Sequence, residues 1–366
     1  MSGSHIVPPQ KIQSELNNLW SGLENKNKVR ASLFNLIFYS RKSPRDEYIR
    51  KITQKIIEKF PARIFFISSD MDSKEDGLTT SVSIMSAEQG EFDITCDFIE
   101  ISTTAVSEYQ VPFLIMPHIV PDLPIFLLWA EDPSEPSLLR QELGKIATRL
   151  IFDSETAKDL HEFAKAILTI QQRSKCEIAD LNWARLESWR DLLTTAFREK
   201  SNWEKLKKVQ NIHIMYNAQE TPFFCHTRIQ SIYLQAWLAC RLQWTLLSSC
   251  QKNETASFCY QNSCQQQIQV LIEPQRHTQL PPGLVITLDL SDADKEVFHF
   301  ERNLSSLNEI SCCYHSSIEC NIPTKFLIAK GESGQSLVKE ICHKGTSEHY
   351  REILTILSEI KGSSVC

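Results

Sequence analysis

Arg185 and Arg190 sit among three tryptophans in the stretch spanning residues 176–203. A guanidinium is a planar fork that grips a carboxylate or a phosphate through two parallel hydrogen bonds. Read at helical period, Trp183, Leu186, Trp189, Leu193, Ala196 and Phe197 fall on one side of a helix. Asp180 precedes the first full turn, where a carboxylate caps free amides and complements the helix dipole. Two readings stay open. Arginine beside tryptophan is the composition enriched at binding hot spots, so Asp180, Trp183, Arg185, Trp189 and Arg190 are candidate partner-binding residues, or a phosphate clamp built on the two arginines. The other reading is structural: tryptophans that pack one domain on the next, and arginines that pair with Asp180, Glu187 or Asp191. Arg30 and Arg63 invite the same two readings, while Arg149 with Asp153 reads as a link between the first domain's helix and the interface.

Other chemistry-bearing residues are less well placed. Glycine numbers only ten, and a loop that cradles phosphate needs glycine so that backbone amides can approach the ligand. No G-x-G-x-x-G occurs. The segment 329–336, AKGESGQS, lacks the glycine at Ala329 and the lysine at Gln335 that a Walker loop requires, and Ser333 lacks the flanking glycines of a nucleophile elbow. Asp289, Asp292 and Asp294 follow a strand closely, but such runs are ordinarily solvated turns, as are Asp70 and Asp72. His226 beside Cys225, the Cys312, Cys313 and His315 group, and Cys342 beside His343 are soft ligands, yet adjacent residues on a strand face opposite ways. No metal and no cofactor is expected. Ten of the twelve cysteines lie after position 200 without any C-x-x-C pair, which reads as reduced thiols. Cys259 with Cys264, and Cys313 with Cys320, are the pairs that oxidation would join; the alternative is cysteine as a small buried residue.

The elements that must position these residues form an α/β chain of mixed α+β character. At 366 residues two cores are expected. Residues 1–28 read as a tail with a docking helix. Residues 29–172 read as an α/β domain in which strands at 32–39 and 63–68 flank a helix opened by Ser43 and Pro44. A turn at Gln89 and Gly90 joins two later strands, and a weaker helix starts near Val111. Residues 173–366 read as a second α/β domain: the tryptophan helix, a strand near 209–216, a buried helix at 227–247, an antiparallel meander and a C-terminal helix. Each domain is then a mixed sheet packed with helices, joined by the tryptophan-rich helix. A net charge of −6 offers no footprint for nucleic acid. Gln235, Arg241 and Gln243 interrupt the most apolar stretch, which argues against a membrane span. The N-terminus lacks the charged start and apolar run of a secretory leader, so a cytoplasmic protein is expected.

The run Asp180, Leu181, Trp183, Arg185, Leu186, Trp189, Arg190 resembles the signature of the glucose-6-phosphate dehydrogenase assembly proteins of the OpcA type. Residues 29–31 with 35–38, 60–63, 121–124 with Trp129, and 149–154 are similar to the same family in the same order. The resemblance spans roughly residues 29 to 240. It implies a non-catalytic partner that binds glucose-6-phosphate dehydrogenase and favours its active oligomer, feeding the oxidative pentose phosphate pathway and NADPH supply. A reading of another class is an enzyme acting on a sugar phosphate or nucleotide, with Arg185 and Arg190 gripping phosphate.

Overall fold

The computed structural model describes residues 4–23, 28–57, 59–89, 92–221, 226–252, 254–316, 323–328, 335–343 and 345–360. Gly90, residues 329–334, Cys225 and Cys320 lie outside them. The chain divides into two compact units. Unit 1 holds Met1–Asp153, Ile170–Leu181 and Ser333–Gly345; unit 2 holds Ser154–Thr169, Asn182–Glu332 and Thr346–Cys366. No single cut in the chain separates them.

Unit 1 begins with β1 (His5–Val7), α1 (Ile12–Ser21), β2 (Lys28–Arg30), β3 (Asn35–Arg41), α2 (Pro44–Ile57) and β4 (Arg63–Asp70). It continues with β5 (Leu78–Gln89), β6 (Phe92–Thr104), α3 (Val111–Ile115), β7 (Ile125–Trp129), α4 (Leu138–Ile146) and β8 (Arg149–Phe152). After α5 (Leu160–Arg173), β9 (Glu177–Asp180) completes the sheet. Its path is β1-β5-β6-β4-β3-β7-β8-β9, with β2 paired to β6. The strands β6, β4, β3, β7, β8 and β9 are mutually parallel. Numbered along the chain they stand 3-2-1-4-5-6, the doubly wound order whose switch point lies between the first and fourth strands. Here those are β3 and β7, registered Leu36 to Phe126 and Tyr39 to Trp129. Six of the seven β3 residues are buried, as a parallel strand covered on both faces must be. Its core side carries Phe38, Phe66, Leu128 and Ile151 against Ile49, Ile52 and Ile56 of α2. Burying each of these apolar side chains contributes about 1.5–3 kcal/mol. One correction falls at the start: residues 5–7, read as tail, form an edge strand registered to β5.

The tryptophan stretch is two helices, α6 (Leu181–Arg185) and α7 (Glu187–Ala196). The Leu186 amide is shared between the carbonyls of Asn182 and Trp183, at 3.2 and 3.3 Å, which tightens the turn there and divides the helix while the apolar period runs on. Then follow α8 (Lys200–Leu206), β10 (Asn211–Asn217), α9 (Ile229–Arg241), β11 (Thr245–Lys252), β12 (Thr255–Gln261), β13 (Gln267–Gln275) and β14 (Val285–Ser291). The last elements are β15 (Val297–Arg302), β16 (Glu309–His315), β17 (Thr324–Leu327), α10 (Gln335–Cys342), which belongs to unit 1, and α11 (Glu348–Leu357). The unit 2 sheet runs β11-β12-β13-β10-β14-β15-β16-β17, antiparallel except for β10 beside β13. Helix α9 is buried from Ile229 to Ala239, as its apolar circumference predicts. It stops earlier than its hydrophobicity suggests. Gln243 adopts a left-handed φ of 56°, the Trp244 amide closes back on the Ala239 carbonyl at 2.9 Å, and the chain leaves as β11. This is a helix stop made without glycine. No described helix is long and apolar enough to cross a membrane.

Candidate functional site

The signature residues build an interior. Asp180 ends β9 and is fully buried. In unit 2, Arg185 donates through Nη1 to Glu155 Oε1 at 2.6 Å and to Asn182 Oδ1 at 2.8 Å. Asn182 donates in turn to Ser154 Oγ at 3.0 Å. Ser154 closes the family-like segment 149–154, whereas Glu155, which follows it in a short turn, is not singled out by the sequence pattern, because its partner Arg185 lies thirty residues on. The Arg190 guanidinium lies 3.5 Å from the Trp183 ring centre, and its Nη1 donates to the Trp183 carbonyl at 2.6 Å. Trp183 neighbours Tyr350 at 5.9 Å, which neighbours Tyr233 at 6.2 Å. Trp189 is buried with the Arg302 guanidinium 5.7 Å from its ring. Burial brings Arg302 down to about 10, and its donors go to the Val285 and Leu307 carbonyls. The forks of Arg185 and Arg190 are engaged with protein groups.

The other arginines do the same work. Arg30 and Arg63 both bind Asp97, at 2.7 and 2.6 Å. Although burial opposes it, these partners and the Trp20 indole hold the Asp97 carboxyl below its usual range. Arg149 pairs with Glu177 and Glu340, and Asp153 pairs with Arg45. Asp289 holds His299 at 2.5 Å, and Asp292 caps its own turn through the amides of Asp294 and Glu296. Among the described residues no group of three His, Cys, Asp or Glu is set to hold a metal. Cys259, Cys264 and Cys313 carry no disulfide, whereas Cys250 is disulfide-bonded. Burial pushes the Cys240 thiol up to about 11 and Cys312 up to about 12, which keeps both protonated and unreactive near neutral pH.

A second place escaped the sequence reading. In a doubly wound sheet, ligands sit outside the carboxyl ends of the strands at the switch point, here beyond Tyr39 and Trp129. Those two rings stack at 3.8 Å and 5° and are almost fully buried. Above them opens a crevice of about 220 Å³ whose lining includes Arg41, Glu108, Glu131, Asp132, Glu135 and Leu138. The turn where a dinucleotide fold carries its glycines reads Ser40, Arg41, Lys42, Ser43, Pro44. At the start of α2 the Asp46 carboxylate accepts from Ser68 Oγ at 2.6 Å and from Ser40, so a protein carboxylate complements the helix N-terminus that a phosphate would otherwise approach. Glu108 accepts from Tyr39 and Ser69, each at 2.6 Å. Burial and the Glu108 charge push the Tyr39 hydroxyl up, so it stays a donor. Burial likewise raises Glu131, against an Arg41 amide at 2.8 Å. The crevice is acid-walled with an aromatic floor, which suits a cation better than a pyrophosphate.

Residues 53–170 match the family model described as the glucose-6-phosphate dehydrogenase subunit N-terminal domain, and residues 176–354 match the model of its C-terminal domain. The chain belongs to the OpcA glucose-6-phosphate dehydrogenase assembly family. Both places described above fall within the two family domains: the crevice mostly in the first, the signature in the second. A Nostoc punctiforme protein named for OpcA and the OxPP cycle is 26% identical over 205 residues, taking in 54% of this chain and 41% of that one. Its Synechococcus elongatus namesake is 28% identical over 166 residues, 45% of this chain and 35% of that one. The match thus spans about two fifths or less of the length of these OpcA relatives. Among solved structures, a levoglucosan dehydrogenase in complex with NADH is similar with a TM-score of 0.49 at 9% identity, over 91% of this chain and 96% of that chain. The strand order of unit 1 stands without it.

Proposed function

We propose that this OpcA-family protein is a non-catalytic cytoplasmic assembly factor that binds glucose-6-phosphate dehydrogenase and favours its active oligomer, supporting the oxidative pentose phosphate pathway and NADPH supply. The observation that carries this reading is the pair of family matches over residues 53–170 and 176–354. Geometry supports it from two sides. The switch-point turn presents Asp46 where a phosphate loop would present free amides, and the signature arginines are engaged inside unit 2. No catalytic group is needed: a partner that binds the active oligomer more tightly than its fragments shifts the equilibrium by that difference in affinity alone. Because Trp183 and Trp189 are buried, the signature acts on binding through the fold of unit 2. The test is NADPH production by the dehydrogenase of the same organism, titrated with this protein, with light scattering on the same mixtures. A saturable rise in rate together with a heavier complex is expected; no change in either, with both proteins folded, sinks the reading.

A further inference from the structure

Exposed apolar side chains on unit 1 are not scattered. Among the described residues, six of its nine large exposed apolar side chains, Met71, Val106, Tyr109, Phe113, Met116 and Leu138, come from segments at or next to the crevice. Single exposed apolar residues need no explanation, whereas a contiguous group marks an interaction surface. The arrangement within the helical stretch 108–118 is specific. Its inward side carries Val111, Leu114 and Ile115, all buried. Tyr109, Phe113 and Met116 follow at intervals of four and three, which puts them on one outward face. They are 66, 75 and 55% exposed. A helix apolar on both faces belongs inside a protein or against a partner.

We infer that this stripe and the acidic crevice beside it form one docking surface, and that its occupant is a segment of glucose-6-phosphate dehydrogenase carrying a lysine or arginine between apolar residues. The choice of dehydrogenase rests on the proposed function; the chemistry of the segment rests on charge. Glu108, Glu131, Asp132 and Glu135 line the crevice against the single lining guanidinium of Arg41, which pairs with Glu131 and Glu135, and the charges of the buried Arg45 and Arg140 nearby act on Glu131 and Asp132, so the excess of acids is one among the lining residues. A concave acidic wall focuses attraction on a cation. A small molecule filling the crevice would leave Phe113 and Met116 bare, since neither lines it. A second copy docked about a twofold axis would set the same acidic wall against itself, which like-charge repulsion disfavours.

The experiment measures binding of the purified dehydrogenase to the full chain by interferometry, for wild type, Tyr109→Ala with Phe113→Ser, and Leu327→Ser as a control at an equally exposed position of unit 2 (79%). The rim double variant is expected to weaken binding about tenfold or more with an unchanged melting temperature. The control should bind as wild type. Wild-type affinity should also fall several-fold as salt rises from about 0.05 to 0.3 M, because an exposed charge pair is screened over that range. Equal binding by wild type and the rim variant overturns the surface while leaving the proposed function intact. No binding by wild type overturns the proposed function and the occupant with it. Salt-independent binding overturns the basic segment. A wild-type dimer that the rim variant abolishes would reassign the surface to a second copy and overturn the dehydrogenase as occupant.

Discussion

The OpcA signature from Trp183 to Arg190, in unit 2, and the crevice rim in unit 1 share a composition, aromatic residues beside charged ones, and have opposite physical states. Around Arg185 and Arg190 the donors meet a carboxylate, an amide and a carbonyl, and the indoles are buried. Around Tyr109 and Phe113 the apolar surface faces water, and the acids beside it outnumber the bases. Residues that specify a family in sequence are here the ones that hold a core together. The surface that can answer to a partner is built from residues with no signature at all.

That contrast breaks first, and hardest, at Trp189. Trp189→Ala removes a buried indole, so unit 2 should lose about 3–5 kcal/mol, read as a lower denaturant midpoint with the slope unchanged. A stable, binding-deficient Trp189→Ala protein would instead put the indole in the interface. Arg185→Ala comes next. It strips a buried carboxylate, Glu155, of its guanidinium, at a cost of about 3 kcal/mol. Replacing both, as Arg185→Met with Glu155→Leu, should recover much of that loss, because two apolar side chains of similar size carry no desolvation penalty. If the double variant is no better than the single one, Asn182 and Ser154 are the members that matter.

How much of this could be read from the chain follows from where each signal lives. The strand, helix and strand of residues 35–70 carry a periodic apolar pattern with Ser43 and Pro44 at the helix start, and all of it is local. The early end of α9 was invisible because Gln243 takes a left-handed φ that sequence habit assigns to glycine. The break at Leu186 was invisible because a shared amide leaves the apolar period unchanged. The signature was legible as a motif, but Glu155, which receives Arg185, is one acid among many until the fold brings it within 2.6 Å. The crevice was least legible. It is made by strand order, and its floor, Tyr39 and Trp129, is ninety residues apart in sequence.

The rim should be nearly silent in stability. Tyr109→Ala with Phe113→Ser changes side chains that are mostly in water already, so unfolding free energy should stay within about 0.5 kcal/mol of wild type. Chemical denaturation of the variant checks this. A large loss would mean that the helical stretch leans on its outward face, and the contrast with the signature would shrink to one of degree.

Glu131 tests the crevice wall more finely. Burial raises its carboxyl, with the neighbouring Glu135 pushing the same way, while the Arg41 amide and the charges of Arg41 and Arg45 pull it down without prevailing. The folded state therefore holds a proton on Glu131 at pH values where the unfolded chain, with a glutamate near its usual value of about 4.3, has released it. Between that value and the higher folded one, the native state binds more protons than the unfolded state, so stability falls as pH rises through the window. The contribution is whole below the unfolded value and gone above the folded one. Glu131→Gln imitates the protonated acid and does not titrate. Its melting temperature should exceed that of wild type at pH 7, and the difference should shrink as pH approaches 4. A Glu131→Gln protein less stable than wild type at pH 7 would mean that pairing with Arg41 outweighs burial. The wall would then be a satisfied network like the signature. A more stable variant would show that the crevice keeps a charge at a cost to the fold, which is expected where that charge serves something outside the chain.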